Sequence, residues 1–400
     1  MHIAIIWQRF LPYHWARIRY SNKRLQALGY SLSAIEVASQ DSTYGFPANI
    51  VNDKLNYNCC FPGENYHSRK AKEIYKKVLS VLEDLNPDIV FAPAIAFPEG
   101  IAAVAYRINS GARAVTMDDA WEYTDKKGFI TNFIKQNIYL NADAAFVPAV
   151  SHQSYYIGLG FAKERIIFGV DVVDNDYFAE QAGISRRNES QIRDVLQLPN
   201  NYFLFVGRVL PRKGIATLLD AYKKYREIVT GVAWDILLVG AGEYLNSLRS
   251  KFSGLAGLRF VGRQFGNDLC QYYGLANALI VPSESDPWGL VVNEGMASGL
   301  PVVVSRGCGA AKPLVKEGEN GWTFEPGDSD NLANIMARFS TLPEYERTLM
   351  GKKSKEIISH WSLDRFAEGV LQALTIPKRE PAGIIANILT RLWKGRVRVY

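Results

Sequence analysis

Apolar positions along this chain fall into short continuous runs separated by stretches with helical spacing. His2-Ile-Ala-Ile-Ile-Trp7 is the first run, followed by a polar, aromatic loop from Gln8 to Trp15 and a helical pattern that stops at Gly29. Ser31 to Val37 reads as a second strand. Ala71 to Leu85 reads as a helix, with Ile74, Val78, Leu79 and Leu82 on one stripe. Residues 88–92, 112–117 and 144–147 are further strands, each set apart by a helix-length segment. The pattern weakens between Gly169 and Asn201. It resumes at Tyr202-Phe-Leu-Phe-Val206 with a second series: strands at 236–239, 258–261, 278–282 and 302–304, and helices from Ile215, Asp268 and Leu290.

Strands alternating with helices predict an α/β chain with two doubly wound, mostly parallel sheets. The expected organisation is a Rossmann-like domain over 1–175, a linker over 176–200, a second Rossmann-like domain over 201–360 and C-terminal helices over 361–400. In such sheets ligands lie at the carboxyl ends of the strands, so the loops at 9–15 and 118–123 are candidate rims.

Composition narrows this picture without redirecting it. A length of 400 residues with 48% hydrophobic side chains is ample for two cores. The longest apolar stretch, Ile89 to Tyr106, is interrupted by Pro93, Pro98 and Glu99, so no spanning helix is expected. The N-terminus lacks the basic flank of a signal peptide, and the four cysteines show neither metal nor disulfide-framework spacing, which leads to the expectation of a reduced, cytoplasmic protein. Of the net charge of +6, most lies after Ile376, where Lys378, Arg379, Arg391, Lys394, Arg396 and Arg398 face only Glu380. A nearly neutral body with a basic tail argues against nucleic acid as a partner and for a local electrostatic contact.

Candidate chemistry concentrates in the second half. Gly207, Arg208 and Lys213 stand at the mouth of a strand–loop–helix unit, where guanidinium, ammonium and free helix amides suit a phosphate; a solvated basic loop is the alternative. Gly240-Ala-Gly242 is half of a dinucleotide fingerprint and fits a tight turn as well. Asp286 and Glu294 flank the turn Pro287-Trp288-Gly289. The amides of residues 288–291 open the next helix, where they would cradle a diphosphate. Glu294 lies about 6 Å further along that helix, placed to accept from a ribose diol. Capping and dipole complementarity remain the ordinary explanation for acids at a helix start, though Glu294 is too deep in the helix to cap.

Phe205-Val-Gly-Arg-Val-Leu-Pro-Arg-Lys-Gly214, Val281-Pro-Ser-Glu-Ser-Asp-Pro-Trp-Gly-Leu-Val-Val-Asn-Glu294 and Gly318-Glu-Asn-Gly-Trp-Thr-Phe324 closely resemble retaining glycosyltransferases of the family 4, group 1 type. The resemblance implies the GT-B fold, two Rossmann-like domains facing across a cleft, with a nucleotide-diphosphate sugar as substrate rather than a cofactor, and no metal. It implies that Arg208 and Lys213 bind the diphosphate and that Glu294 holds the ribose. Asp286 would touch the donor sugar, and Gly207, Trp288, Gly289 and Leu290 would complete the donor site. The acceptor, a glycan or a lipid-linked glycan of the cell envelope or an exopolysaccharide, would meet the first domain, where His14, Asp118 and Asp119 are rim candidates. Three departures from the family stand out: Asp286 replaces the usual glutamate, the loop after the first strand lacks a glycine pair, and Asp118 stands where many members carry histidine. A non-catalytic sugar-nucleotide or glycan-binding protein on the same fold is the alternative; a nicotinamide-dependent oxidoreductase rests on Gly240 and Gly242 alone.

In the tail, Ile384, Ile385, Ile388, Leu389, Leu392 and Trp393 form an apolar stripe with Asn387, Thr390, Arg391 and Lys394 off it. This basic amphipathic pattern fits an anionic membrane surface contacted by residues 381–400, on the inner face of the membrane, or docking onto the first domain.

Overall fold

The computed structural model describes residues 1–41, 55–124 and 128–397. Its contacts divide the chain into two units, Met1–Val172 with Leu363–Tyr400, and Val173–Ser362.

The first unit is built on β1 (His2–Trp7), β2 (Ser31–Gln40), β3 (Asn56–Asn65), β4 (Ile89–Pro93), β5 (Arg113–Met117), β6 (Ala144–Val147) and β7 (Ile166–Phe168). All pairings among them are parallel, in the order β3-β2-β1-β4-β5-β6-β7. Ile3 to Ile6 and Ile89 to Phe91 are fully buried, which is why these strands read as continuous apolar runs rather than alternating ones. The helices are α1 (Pro12–Ala27), α2 (Ala71–Leu85), α3 (Pro98–Ser110), α4 (Phe129–Tyr139) and α5 (Gln153–Gly158). The α2 stripe buries Ile74, Val78 and Leu82, and the helix stops at Asn86 in a left-handed conformation.

The second unit opens with α6 (Asn175–Arg187) and α7 (Glu189–Leu196). The segment expected as a linker over 176–200 is therefore largely helical. Asp174 caps α6 by accepting from the Tyr177 amide at 3.0 Å, and Ala182 and Ser185 of α6 are buried. There follow β8 (Tyr202–Val206), α8 (Ile215–Ile228), β9 (Asp235–Val239), α9 (Leu245–Lys251), β10 (Leu258–Gly262), α10 (Gly266–Leu275), β11 (Ala278–Val281), α11 (Leu290–Ala297), β12 (Val302–Ser305), α12 (Ala311–Leu314), β13 (Gly321–Phe324), α13 (Ser329–Thr341) and α14 (Glu344–Ser359). The parallel sheet runs β10-β9-β8-β11-β12-β13, so chain order reverses between β8 and β11. That reversal is the switch point at which open α/β sheets bind ligands.

α15 (Leu363–Thr375) and α16 (Ile384–Leu392) belong to the first unit. The docking alternative for the tail is realised in part. Arg379 donates its amide to Asp143 Oδ1 at 2.7 Å, beside the buried Arg107–Asp143 ion pair, and its guanidinium reaches the carbonyls of Tyr139 and Gly160. Lys378 bonds the carbonyl of Gly111. Two of the tail's cations are thus spent on anchoring it, and Arg398 lies outside the described residues. The expected apolar stripe is also rotated. Ala386 and Thr390 are the buried positions of α16, with Thr390 accepting from Asn141 at 3.2 Å, whereas Ile384, Ile385, Ile388 and Leu392 are exposed. Among the described residues no helix is long and apolar enough to cross a membrane.

Candidate functional site

In the second unit the loops following β8, β11 and β12 are tied together at the switch point. The Arg212 carbonyl accepts from the amide of Glu284 at 2.9 Å, which joins the first two loops. Asp286 donates its amide to the Gly307 carbonyl at 3.0 Å, and its own carbonyl accepts from Gly309 at 3.0 Å, which joins the second to the third. The carboxylate of Asp286 is ion-paired with the Lys213 ammonium and lies 3.4 Å from the Ser283 hydroxyl. Both partners are largely buried, at 15% and 9% side-chain exposure, so the pair is held in a low-dielectric setting rather than averaged by solvent. Asp286 and Lys213, assigned separately to sugar and phosphate, therefore meet each other first.

The turn between Asp286 and α11 is set by a glycine. Gly289 has φ +94°, and a Cβ there would run into Cys308 Sγ, so both backbone conformation and space demand glycine. Cys308, missed in the sequence, donates its thiol to the Trp288 carbonyl at 2.8 Å; burial pushes that thiol's pKa up, with the Asp286 charge adding to the effect. The Trp288 indole is buried and donates to Asn293 Oδ1 at 2.9 Å, so its side chain is wall rather than ligand surface. What residues 288–291 offer a ligand is backbone. No side chain caps α11; the Val292 amide donates to the Gly289 carbonyl at 2.9 Å, and helix geometry leaves the amides of Leu290 and Val291 to face a ligand.

Glu294 follows one turn along α11. Its Oε2 accepts from the Tyr273 phenol of α10 at 2.7 Å. Burial raises the Glu294 carboxyl to about 7, and the Tyr273 hydrogen bond works in the opposite direction. The Tyr273 phenol is itself raised well above 10 by burial and by the Glu294 charge, so it remains a donor. Tyr273 was not singled out from the sequence; nothing local marks it, because its partner lies 21 residues away. Arg208 follows Gly207 at the end of β8, in the loop that carries Lys213.

Gly240 and Gly242 have a packing role. A Cβ on Gly240 would strike the Gly207 carbonyl, and one on Gly242 the backbone of Val209, while the Val209 amide donates to the Ala241 carbonyl at 3.0 Å. The glycine pair lets the loop after β9 cross against the loop after β8.

In the first unit the rim candidates have local partners. His14 Nδ1 accepts from the Leu11 amide at 3.1 Å at the start of α1, and its ring stacks on Trp7 at 4.4 Å. Burial, reinforced by the Arg17 charge, holds its pKa well below 6.5, so the imidazole is neutral. Asp118 accepts from the Ala120 amide at 3.4 Å, and its charge adds to burial in holding the Tyr156 phenol's pKa well above 10. Asp119 contributes a favourable charge to Arg17, whose guanidinium is fixed by the Val172 carbonyl at 2.9 Å and by Asp171. Arg17 thus links the surroundings of His14 and Asp119. Glu99, also missed, is fully buried at the start of α3, accepts from Tyr66 at 3.1 Å, and is raised to about 7 by burial.

Residues 187–356 match the sequence profile of the family described as glycosyl transferases group 1. Among curated relatives, a sulfoquinovosyl transferase of Arabidopsis thaliana is 33% identical over 220 residues, covering 54% of this chain and 41% of its own. A lipopolysaccharide 1,2-N-acetylglucosaminetransferase of Salmonella typhimurium is 27% identical over 225 residues, covering 52% and 57%. The chain spans about half the length of these curated relatives. The fold has wider reach: the Anabaena protein HepE, solved in complex with UDP and glucose, superposes with a TM-score of 0.71 at 17% identity over 94% of this chain and 99% of that one.

Proposed function

We propose that this chain, whose residues 187–356 match the glycosyl transferases group 1 profile and whose two units have the GT-B fold, transfers a sugar from a nucleotide-diphosphate donor to a glycan or lipid-linked acceptor, with retention of configuration. The observation that carries the reading is the ordering of unlike groups at the β8/β11 switch point: the Lys213–Asp286 pair, the uncapped N-terminus of α11, and Glu294 one turn further on. Arg208, Lys213 and the first amides of α11 would take the diphosphate and stabilise it as it departs. Glu294 would accept from the ribose hydroxyls through the oxygen not occupied by Tyr273. Asp286 would orient Lys213 and face the donor sugar.

In the proposed reaction the bond from the anomeric carbon to the phosphate oxygen breaks. A bond from that carbon to the acceptor oxygen forms on the same face, and the acceptor's proton passes to the departing phosphate. The protein's part is positioning and charge stabilisation, with neutralisation assigned to the cations above rather than to a metal. The acceptor is assigned to the first unit, at the loops after β1 and β5, and is met at an anionic membrane surface in the synthesis of envelope or exopolysaccharide glycans. HepE was solved with UDP, which makes UDP-sugars the first donors to try.

A panel of UDP-, GDP- and ADP-sugars tests the reading by thermal stabilisation, followed by assignment of the product anomer by NMR. A donor that raises the melting temperature and yields a product of unchanged anomeric configuration supports it. An inverted product contradicts retention, and binding without any turnover points to the non-catalytic alternative.

A further inference from the structure

The first unit carries an apolar surface that none of the proposed transfer chemistry uses. α4 and α16 pack against each other on its flank. Their inward faces are satisfied: Ile138, Tyr139, Leu389 and Trp393 join one hydrophobic cluster, and the Trp393 indole donates to the Ile95 carbonyl at 2.7 Å. What remains outside is also apolar. On α4, Phe129 and Ile130 are 86% and 74% exposed, with Phe133 beside them; on α16, Ile384 and Leu392 are 78% and 73% exposed, with Ile385 and Ile388 between them. Scattered exposed hydrophobics are normal on a protein surface, but seven on two adjoining helices are not.

The charges of the same segments are one-sided. Residues 128–139 contain Lys135 and no carboxylate, and residues 381–397 contain Arg391, Lys394 and Arg396 and no carboxylate. Arg391 and Arg396 are exposed, and the Lys394 ammonium sits 4.0 Å from the Tyr75 ring, close enough to feel Lys72 of α2. A second copy of this chain would bring like charges together across the contact, which disfavours self-association. An anionic lipid surface satisfies both features, since apolar side chains enter the acyl boundary while Lys and Arg meet the headgroups.

We propose that α4 and α16 together form an interfacial docking face for an anionic lipid bilayer, with Phe129, Ile130 and Phe133 from one helix and Ile384, Ile388 and Leu392 from the other as the inserting side chains. The contact is a two-helix platform rather than a detachable tail, because α16 is held to the unit by Thr390, Trp393 and the Arg396 amide on the Ala96 carbonyl at 2.8 Å. It deepens the membrane part of the functional reading and is independent of the donor chemistry.

The experiment is flotation of the full chain with phosphatidylcholine vesicles, plain or doped with phosphatidylglycerol. Two variants, Phe129→Glu/Ile130→Glu and Ile384→Glu/Ile388→Glu, are compared with the wild type. The wild type is expected to float with the doped vesicles and to release at high salt. Each variant is expected to lose about tenfold or more in partitioning while keeping the wild-type melting temperature and UDP affinity. An α4 variant that binds like the wild type overturns the two-helix platform, as does wild-type protein that ignores anionic vesicles. Ultracentrifugation that shows a dimer abolished by the same substitutions assigns the face to a second copy and overturns the proposal equally. Loss of UDP binding by the wild type would sink the donor assignment and leave the flotation result standing.

Discussion

Tyr273 holds Glu294 by a 2.7 Å hydrogen bond to Oε2, fixing the carboxylate proposed to read the ribose. The carboxyl is raised to about 7 by burial, so its ionised form prevails only above that pH. Donor-dependent kcat/KM should therefore rise through an acid limb near 7. The Tyr273 hydrogen bond favours the ionised form, so Tyr273→Phe should move the limb to higher pH, and Glu294→Gln should remove it. A Tyr273→Phe enzyme with reduced activity but an unmoved limb would reduce Tyr273 to a packing role.

The Lys213–Asp286 pair is expected to couple strongly. Because both side chains are largely buried, removing either alone leaves an uncompensated charge. A double-mutant cycle of Lys213→Ala and Asp286→Ala, followed by chemical denaturation, should give an interaction energy of about 1–3 kcal/mol. Additive losses would mean that the pair is not formed in solution.

Glu99 should set part of the pH dependence of stability. Its folded pKa of about 7 lies above the ordinary carboxyl value of 4.5, so the folded state holds an extra proton between those values. Its contribution is most favourable below the unfolded pKa and is lost as pH rises through 7. Glu99→Gln should flatten that slope and add at most about 3 kcal/mol above the window, offset by any weakening of the Tyr66 bond. Melting curves of both proteins across the window measure this; parallel curves would contradict it.

Gly242→Ala should cost about 1–3 kcal/mol, because the added methyl meets the Val209 backbone rather than a movable side chain. Neither protein should bind NAD(H), since the glycine pair is occupied by chain packing. Denaturation and a nucleotide-binding assay check the two halves separately.

Much of the fold was legible because buried parallel strands announce themselves as unbroken apolar runs; β1, β6 and β8 begin and end where the sequence indicates. β3 was not, since Asn56–Asn65 is a polar strand carrying Pro62 and Gly63 and, among the described residues, pairing only with β2. The supposed linker concealed α6 because that helix packs on α10 through small groups. A Cβ on Gly274 would meet the Ser185 side chain, so no hydrophobic stripe is needed there. The tail's stripe misled for the converse reason: Thr390 turns inward to reach Asn141 and displaces the isoleucines outward. At the site, residue types and loop positions were readable, but the pairings Lys213–Asp286 and Tyr273–Glu294 join distant parts of the chain that only the folded second unit brings together.

The central claim is tested most directly by calorimetry of UDP, GDP and ADP binding to the wild type and to Glu294→Ala. A ribose-anchoring Glu294 predicts that the wild type binds at least one of these nucleotides and that the variant binds it about ten- to a hundredfold more weakly. Equal affinity of the two proteins for every nucleotide tried would contradict the assignment of the donor site.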